Sequence, residues 1–258
     1  MPTSLSSSSL YAVILTHKKI VVNKFAKITK YAIIIFMKNK QASNLPKLNI
    51  IYETDDVLVI NKPHNLSCIP SRAHLDDNLG TLIKKHLDDN NFTLRVINRL
   101  DKDTAGIVVV AKSLNSYKNI TITNKEYYAL CKGTFDKKTF TINQPIHTLV
   151  DENGHNIMKR IISSDGKPAI THVEVLKEFD NYSLIKLTLE TGRTHQIRVH
   201  LSSIGHPLVG DPIYNKNCDN TSHTFLLLKK ATLSINNSTP TTINVDFPEG
   251  WNKYLNQL

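Results

Sequence analysis

The chain has 258 residues, 40% of them apolar, enough to bury one large core or two small ones, which excludes a disordered protein. Its net charge of +10 suggests an anionic partner, yet residues 1–52 hold eight lysines and no acid, leaving 24 basic against 22 acidic side chains in the rest. Bulk charge is therefore a weak argument for nucleic acid, and the positions of particular cations must carry it.

Residues 1–47, with the serine run Ser4–Ser9 and scattered lysines, read as a basic, disordered extension, with Met37 as an alternative start. There is no arginine and no small-residue cleavage site, so an organellar targeting segment within residues 1–36 is the alternative reading. A domain is expected over 48–250 and a tail over 251–258. Asn49–Tyr52 and Val57–Asn61 are short β-branched runs around Glu53-Thr54-Asp55-Asp56 and read as a hairpin, which Lys62-Pro63 ends. Asn78–Leu87 places Leu79, Leu82, Ile83 and Leu87 at helical spacing. Strands are expected at Val108–Ala111, Glu126–Lys132, Ile170–Leu176 and Tyr182–Leu189, the last with Ile185, Leu187 and Leu189 on one face. Thr194 is expected to cap a helix that runs to Ile204, buries Ile197, Leu201 and Ile204, and is ended by Gly205 and Pro207. Many strands with few helices imply an α+β fold, and no internal repeat is present.

Cys68, Cys131 and Cys218 are isolated, which fits neither a disulfide framework nor Cys-x-x-Cys zinc spacing and points to a reducing compartment. No apolar run approaches the ~18 residues that span a bilayer. A soluble, cytoplasmic monomer without a membrane partner is expected.

In Arg99-Leu100-Asp101-Lys102-Asp103-Thr104-Ala105-Gly106 a carboxylate follows an arginine by two residues, in a turn that ends in glycine and opens an apolar strand. Such a group belongs to a cleft wall, and Asp101 is the candidate reacting group. In Thr191–His200, helical spacing puts His195, Arg198 and Ser202 on one face, and the helix N-terminus suits a phosphate. Only six of the 32 cationic residues are arginines, and three of those, Arg99, Arg193 and Arg198, fall in these two stretches. A planar fork matches a carboxylate as lysine cannot, so Arg198 is expected to pair with Asp101. His195 and His200 are expected to pack or to touch a phosphate backbone, and their spacing demands no metal.

These stretches resemble the RluA-type pseudouridine synthases, which convert uridine in structured RNA into its C-glycoside isomer. The family's His-Arg-Leu-Asp-x-x-Thr-Ser-Gly stands here as Asn98–Gly106, with Asn98 for His and Ala105 for Ser. Gly192–His200 matches Gly-Arg-x-His-Gln-Ile-Arg-x-His, and Gly205–Tyr214 matches Gly-x-Pro-Ile-x-Gly-Asp-x-x-Tyr. Lys125–Gly133 resembles the Lys-x-Tyr-x-Ala-x-x-x-Gly strand, and Asp55–Pro63 the entry strand. Lys229-Lys230 stand where the family usually has His-Ala. The resemblance covers about residues 48–250. It implies a mixed, mainly antiparallel sheet with flanking helices and a central RNA-binding cleft. It also implies catalysis by Asp101, by Arg198 as its ion-pair partner, and by Tyr127, which stacks on the target base and is a candidate for proton transfer at C5. RNA contacts then fall to Arg99, Lys62, Arg193, His195 and Gln196, with no metal or organic cofactor. Tyr128, on the opposite face of its strand, is left to the core. The implied partner is RNA, with ribosomal favoured over transfer RNA. Two rival readings remain. Asp101-Lys102-Asp103-Thr104 also satisfies the Asp-x-Asp-x-Thr of metal-dependent phosphotransferases, although there the buried strand precedes the first aspartate. Asn98 and Ala105 prompt the other, a catalytically idle RNA-binding relative.

Overall fold

Ala105–Ala111 is buried at every position, so this strand needs neighbours on both edges and cover on both faces, and the remaining elements supply them. The computed structural model of the protein describes residues 46–70, 74–152, 156–216, 221, 223–236 and 238–255. The expected extension lies almost wholly outside the described residues, as does Cys218. In chain order the elements are β1 (Ile50–Glu53), β2 (Val57–Lys62), α1 (Leu79–His86), β3 (Arg95–Val96), β4 (Ala105–Ala111), α2 (Leu114–Asn119), β5 (Ile120–Lys132) and β6 (Thr139–Asn143). They continue as β7 (Ile146–Val150), β8 (Asn156–Ile162), β9 (Ile170–Glu178), β10 (Tyr182–Leu189), α3 (Gln196–Ser203), β11 (Leu226–Ile235), β12 (Thr241–Asn244) and α4 (Glu249–Leu255).

Among the described residues, ten strands form one sheet in the order β1-β2-β4-β11-β5-β10-β9-β6, with β3 on β4 and β12 on β11, while β7 and β8 pair apart from it. Only β4 with β11 is parallel, and the other pairs are antiparallel. This is the expected α+β architecture. The parallel contact depends on Gly106. Its φ is +115°, and a Cβ there would lie 2.2 Å from the Leu228 carbonyl oxygen, so only glycine lets the two backbones meet. The end of the 97–104 loop is thereby fixed against β11.

The expected β1–β2 hairpin is present, its turn closed by Thr54 Oγ1, which accepts from the N–H groups of Asp56 and Val57. Asn78 caps α1 by accepting from Thr81 N–H, and Leu79, Leu82 and Ile83 are buried as expected. Strand β5 starts at Ile120 and not Glu126, because its polar first half pairs with Thr232–Ile235 of β11. The capping expectation for α3 is corrected: His195, not Thr194, is the N-cap, with a left-handed backbone (φ +58°) and no side-chain cap.

The expected tail is also corrected. Trp251 in α4 is fully buried, 5.2 Å from the rings of both Phe225 and Phe247, so a boundary at 250 would cut through a packed helix. Phe225 in turn touches His223 at 4.7 Å, and His223 stacks on His64 at 4.4 Å, so this aromatic row runs from the last helix to the segment beneath the Asp101 loop.

Candidate active site

The first wall of the site is the loop 97–104, whose backbone is held by side chains at the end of β2 and just after it. Lys62 is fully buried, and its ammonium donates to the carbonyls of Pro63 (2.9 Å), Leu66 (2.8 Å) and Lys102 (3.1 Å). His64 Nδ1 donates to the Asp103 carbonyl at 2.8 Å. Cys68 Sγ accepts from Leu100 N–H and donates to Leu100 O, at 3.4 and 3.3 Å. Burial pulls the Lys62 ammonium down to about 8, against the opposing pull of Cys68, Asp101 and Asp103, so it is charged at neutral pH. Asn98 ties the start of the loop to β4, donating to Ile107 O and accepting from Val109 N–H, both at 2.9 Å. The amide suits this place because it offers a donor and an acceptor together. Ala105 is simply buried.

The second wall is the N-terminal half of α3 with the turn at Asp211. Arg198 and Asp211 are 1% and 0% exposed and form a two-pronged pair, Nε to Oδ2 at 2.7 Å and Nη2 to Oδ1 at 2.8 Å. Asp211 also accepts from Ile213 and Tyr214 N–H. Burial would raise its carboxyl, but Arg198 and these N–H groups outweigh that and leave it lowered. The expected Arg198–Asp101 ion pair is present, but as a longer, single contact beside the two-pronged one to Asp211. Asp101 Oδ2 lies 3.9 Å from Nη1 and Asp103 Oδ2 lies 3.5 Å from Nη2. The fork goes to the carboxylate that water cannot reach, whereas Asp101, whose side chain is 27% exposed, meets the remaining nitrogen.

Between the walls, over β5, lies a cavity of about 480 Å³. Tyr127 is buried in its lining, and burial, with Asp101 beside it, pushes its phenol far above the ordinary value. Among the described residues, Arg99, Lys102, Lys125, Arg193 and Arg198 line it against a single acid, Asp101. A chain body close to neutral thus concentrates positive charge around one carboxylate. Among the described residues no three His, Cys, Asp or Glu side chains are placed to hold a metal ion.

Six of the eight residues singled out in the sequence, Asp101, Tyr127, Arg198, Arg99, Arg193 and His195, line this cavity with their functional groups uncommitted or only partly committed. The other two assignments, both as RNA contacts, are corrected. Lys62 spends all three of its N–H donors on protein carbonyls. Gln196 accepts from Thr191 Oγ1 and Arg193 N–H and donates to Ile170 O and Thr171 Oγ1, so its amide has no capacity left. His200 is fully buried, with Nε2 donating to Gln144 O and Nδ1 accepting from Thr171 Oγ1, which makes it a packing residue. Tyr128 packs edge-on against Phe247 at 5.6 Å. Lys229 lies over both of those rings and Lys230 pairs with Glu126, which accounts for the lysines at these two positions. Sequence reading missed Asp211 and Tyr214 as parts of the site, and the only available signal was their place in the Gly205–Tyr214 stretch.

A model of the RNA pseudouridylate synthase family matches residues 56–203. The uncharacterized RNA pseudouridine synthase YlyB of Bacillus subtilis is 40% identical over 179 residues, 65% of this chain and 57% of that protein. Ribosomal large subunit pseudouridine synthase D of Blochmanniella floridana is 38% identical over 189 residues, 67% and 56% of the two chains. The chain therefore spans a little over half the length of these curated relatives. Among solved structures, human RNA pseudouridylate synthase domain containing 1 superposes with a TM-score of 0.62 at 27% identity, covering 78% of this chain and 84% of that one.

Proposed function

The chain belongs to the RNA pseudouridylate synthase family, and on that premise we propose that it isomerises uridine to pseudouridine in structured RNA, with Asp101 as the reacting carboxylate. The observation that carries this reading is that Asp101 is, among the described residues, the one acid in a cavity lined by five cations and a buried tyrosine.

A uridine within an RNA stack must be flipped out to enter the cavity, at a cost of about a few kcal/mol. Phosphate contacts from Arg99, Lys102, Lys125 and Arg193 at the rim offset part of that cost. In the reaction the C1′–N1 bond breaks, the uracil turns, C5 bonds to C1′, the C5 proton leaves to a base and N1 takes up a proton, so that the product is an isomer of the substrate. Nothing is oxidised or reduced. Asp101 must be ionised for this, and Arg198 Nη1 supports the charge without quenching it, because the fork of Arg198 is engaged by Asp211. Tyr127 stays a neutral phenol, which suits stacking on the base. Ribosomal RNA is the favoured substrate, since several relatives are named for the large ribosomal subunit.

Release of tritium from C5-labelled uridine in ribosomal and transfer RNA pools tests the proposal. The intact protein is expected to release label, chiefly from ribosomal RNA, and Asp101→Ala to release none. Equal release by the variant overturns the role of Asp101. RNA binding without release from either pool establishes the idle relative instead.

A further inference from the structure

We propose that His195 is a positioning residue for Asp101: it presents an Nε2–H donor to the carboxylate, and Tyr214 determines that the proton is on that nitrogen. The inference rests on the role given to Asp101 above.

The tautomer follows from hydrogen-bond accounting. The Tyr214 hydroxyl accepts the backbone N–H of Arg160 at 2.7 Å and lies 3.0 Å from His195 Nδ1. A hydroxyl has one hydrogen to give. If Nδ1 carried a proton, the hydroxyl would receive two N–H groups, and its own hydrogen would have no acceptor among the described residues, a costly state at a buried site. Nδ1 is therefore the acceptor, and the hydrogen of the neutral ring is on Nε2. That nitrogen lies 4.0 Å from Asp101 Oδ2. The gap exceeds a hydrogen bond, and a closure of about 1 Å as substrate enters would complete it.

The backbone supports the assignment. His195 holds φ +58°, a region L-residues seldom occupy, and as N-cap of α3 its side chain makes no capping bond. The ring is turned away from the helix end, set edge-on to Tyr214 at 5.6 Å between centroids and directed at Asp101. The charged groups that face it are Asp101, Arg198, Arg160 and Asp211. Burial holds its pKa below the ordinary value despite Asp101, so at neutral pH the ring is uncharged and only the tautomer decides what it offers. With the side chain 10% exposed, it has little surface for a phosphate, which separates this role from an RNA contact.

Two substitutions divide the ring's functions. In His195→Asn the amide replaces the Nδ1 side, keeps the Tyr214 bond and tolerates the left-handed backbone, but the Nε2–H is lost. In His195→Gln the amide nitrogen reaches the Nε2 position. His195→Asn is expected to lower kcat for tritium release by about 10–100-fold with KM for RNA changed less than about 3-fold, and His195→Gln to recover most of the loss. Tyr214→Phe is the second probe should His195→Asn fail to fold, and a smaller fall in kcat at constant KM is expected of it. Intact-protein kcat in His195→Asn, a rise in KM alone, or equal loss in the Asn and Gln variants overturns the proposal. Imidazole ¹⁵N shifts of His195 in the intact protein need no substrate. Protonation of Nε2 is expected, and protonation of Nδ1 overturns the proposal even if no RNA is turned over. An intact protein that shows the Nε2–H tautomer but releases no tritium refutes the proposed function instead.

Discussion

The two walls of the cavity are held in opposite ways. In the loop wall, buried side chains grip main chain: Lys62, His64 and Cys68 each bond a backbone group between Leu100 and Asp103, and Asn98 bonds β4. In the helix wall, side chains grip one another, Arg198 with Asp211 and His195 with Tyr214. Main chain gripped from beneath places Asp101 without using its carboxylate, which remains available. Side chains locked pairwise give a rigid charge, but they make the stability of the fold depend on the same groups that shape the site.

That contrast can be broken by substitution. The largest effect on stability is expected at the helix wall: Arg198→Met leaves Asp211 buried without its counter-charge, and urea unfolding should show a loss of about 3–5 kcal/mol. The pH dependence has a definite sign. Asp211 is lowered in the folded state, so its contribution is complete at neutral pH and is lost as pH falls from the ordinary carboxylate range through the folded value. Melting in acid should show this in the intact protein and less of it in Arg198→Met. The next effect is expected at the loop wall. Lys62→Met keeps the volume but strips the donor from three carbonyls, for about 1–3 kcal/mol, and kcat should fall with KM nearly constant. A rise in KM alone would return Lys62 to RNA binding and erase the contrast. The smallest stability effect, within about 0.5 kcal/mol, is expected for Arg193→Ala at the exposed rim. There KM should rise, and the salt dependence of RNA binding should flatten by about one counterion.

The fold class is legible because β4 is a short, β-branched apolar run opened by glycine, and β10 puts Ile185, Leu187 and Leu189 two apart on one face. Strands β6 and β12 were not legible, because short edge strands with polar residues on the exposed face carry little periodic signal. The site residues divide in the same manner. Arg198 stands out as one of few arginines in a lysine-rich chain and its pairing with Asp101 is legible, but the division of its nitrogens is set by burial, which sequence does not display, so the dry Asp211 that takes the fork is not. Lys62 and Gln196 fall to RNA only through the resemblance, since they stand in matched motifs. Only a count of their bonds shows that they are spent. Trp251 was assigned to a tail although a lone tryptophan near a chain end is a strong candidate for burial.

The sheet order carries a consequence for synthesis. Strands β4 and β5 follow one another in the chain with only α2 between them, yet β11 is inserted between them in the sheet. During translation at about 5–20 residues per second, the hundred or so residues from β5 to the end of β11 take roughly 5–20 s to appear. For that interval β5 waits with an open edge, since β3 and Asn98 already cover most of the free edge of β4, and a nascent chain stalled after β10 presents the β5 edge to any neighbour able to pair with it. The centre of this molecule is the last part of the sheet to close, so its yield in a cell depends on how well that edge is shielded while the ribosome finishes.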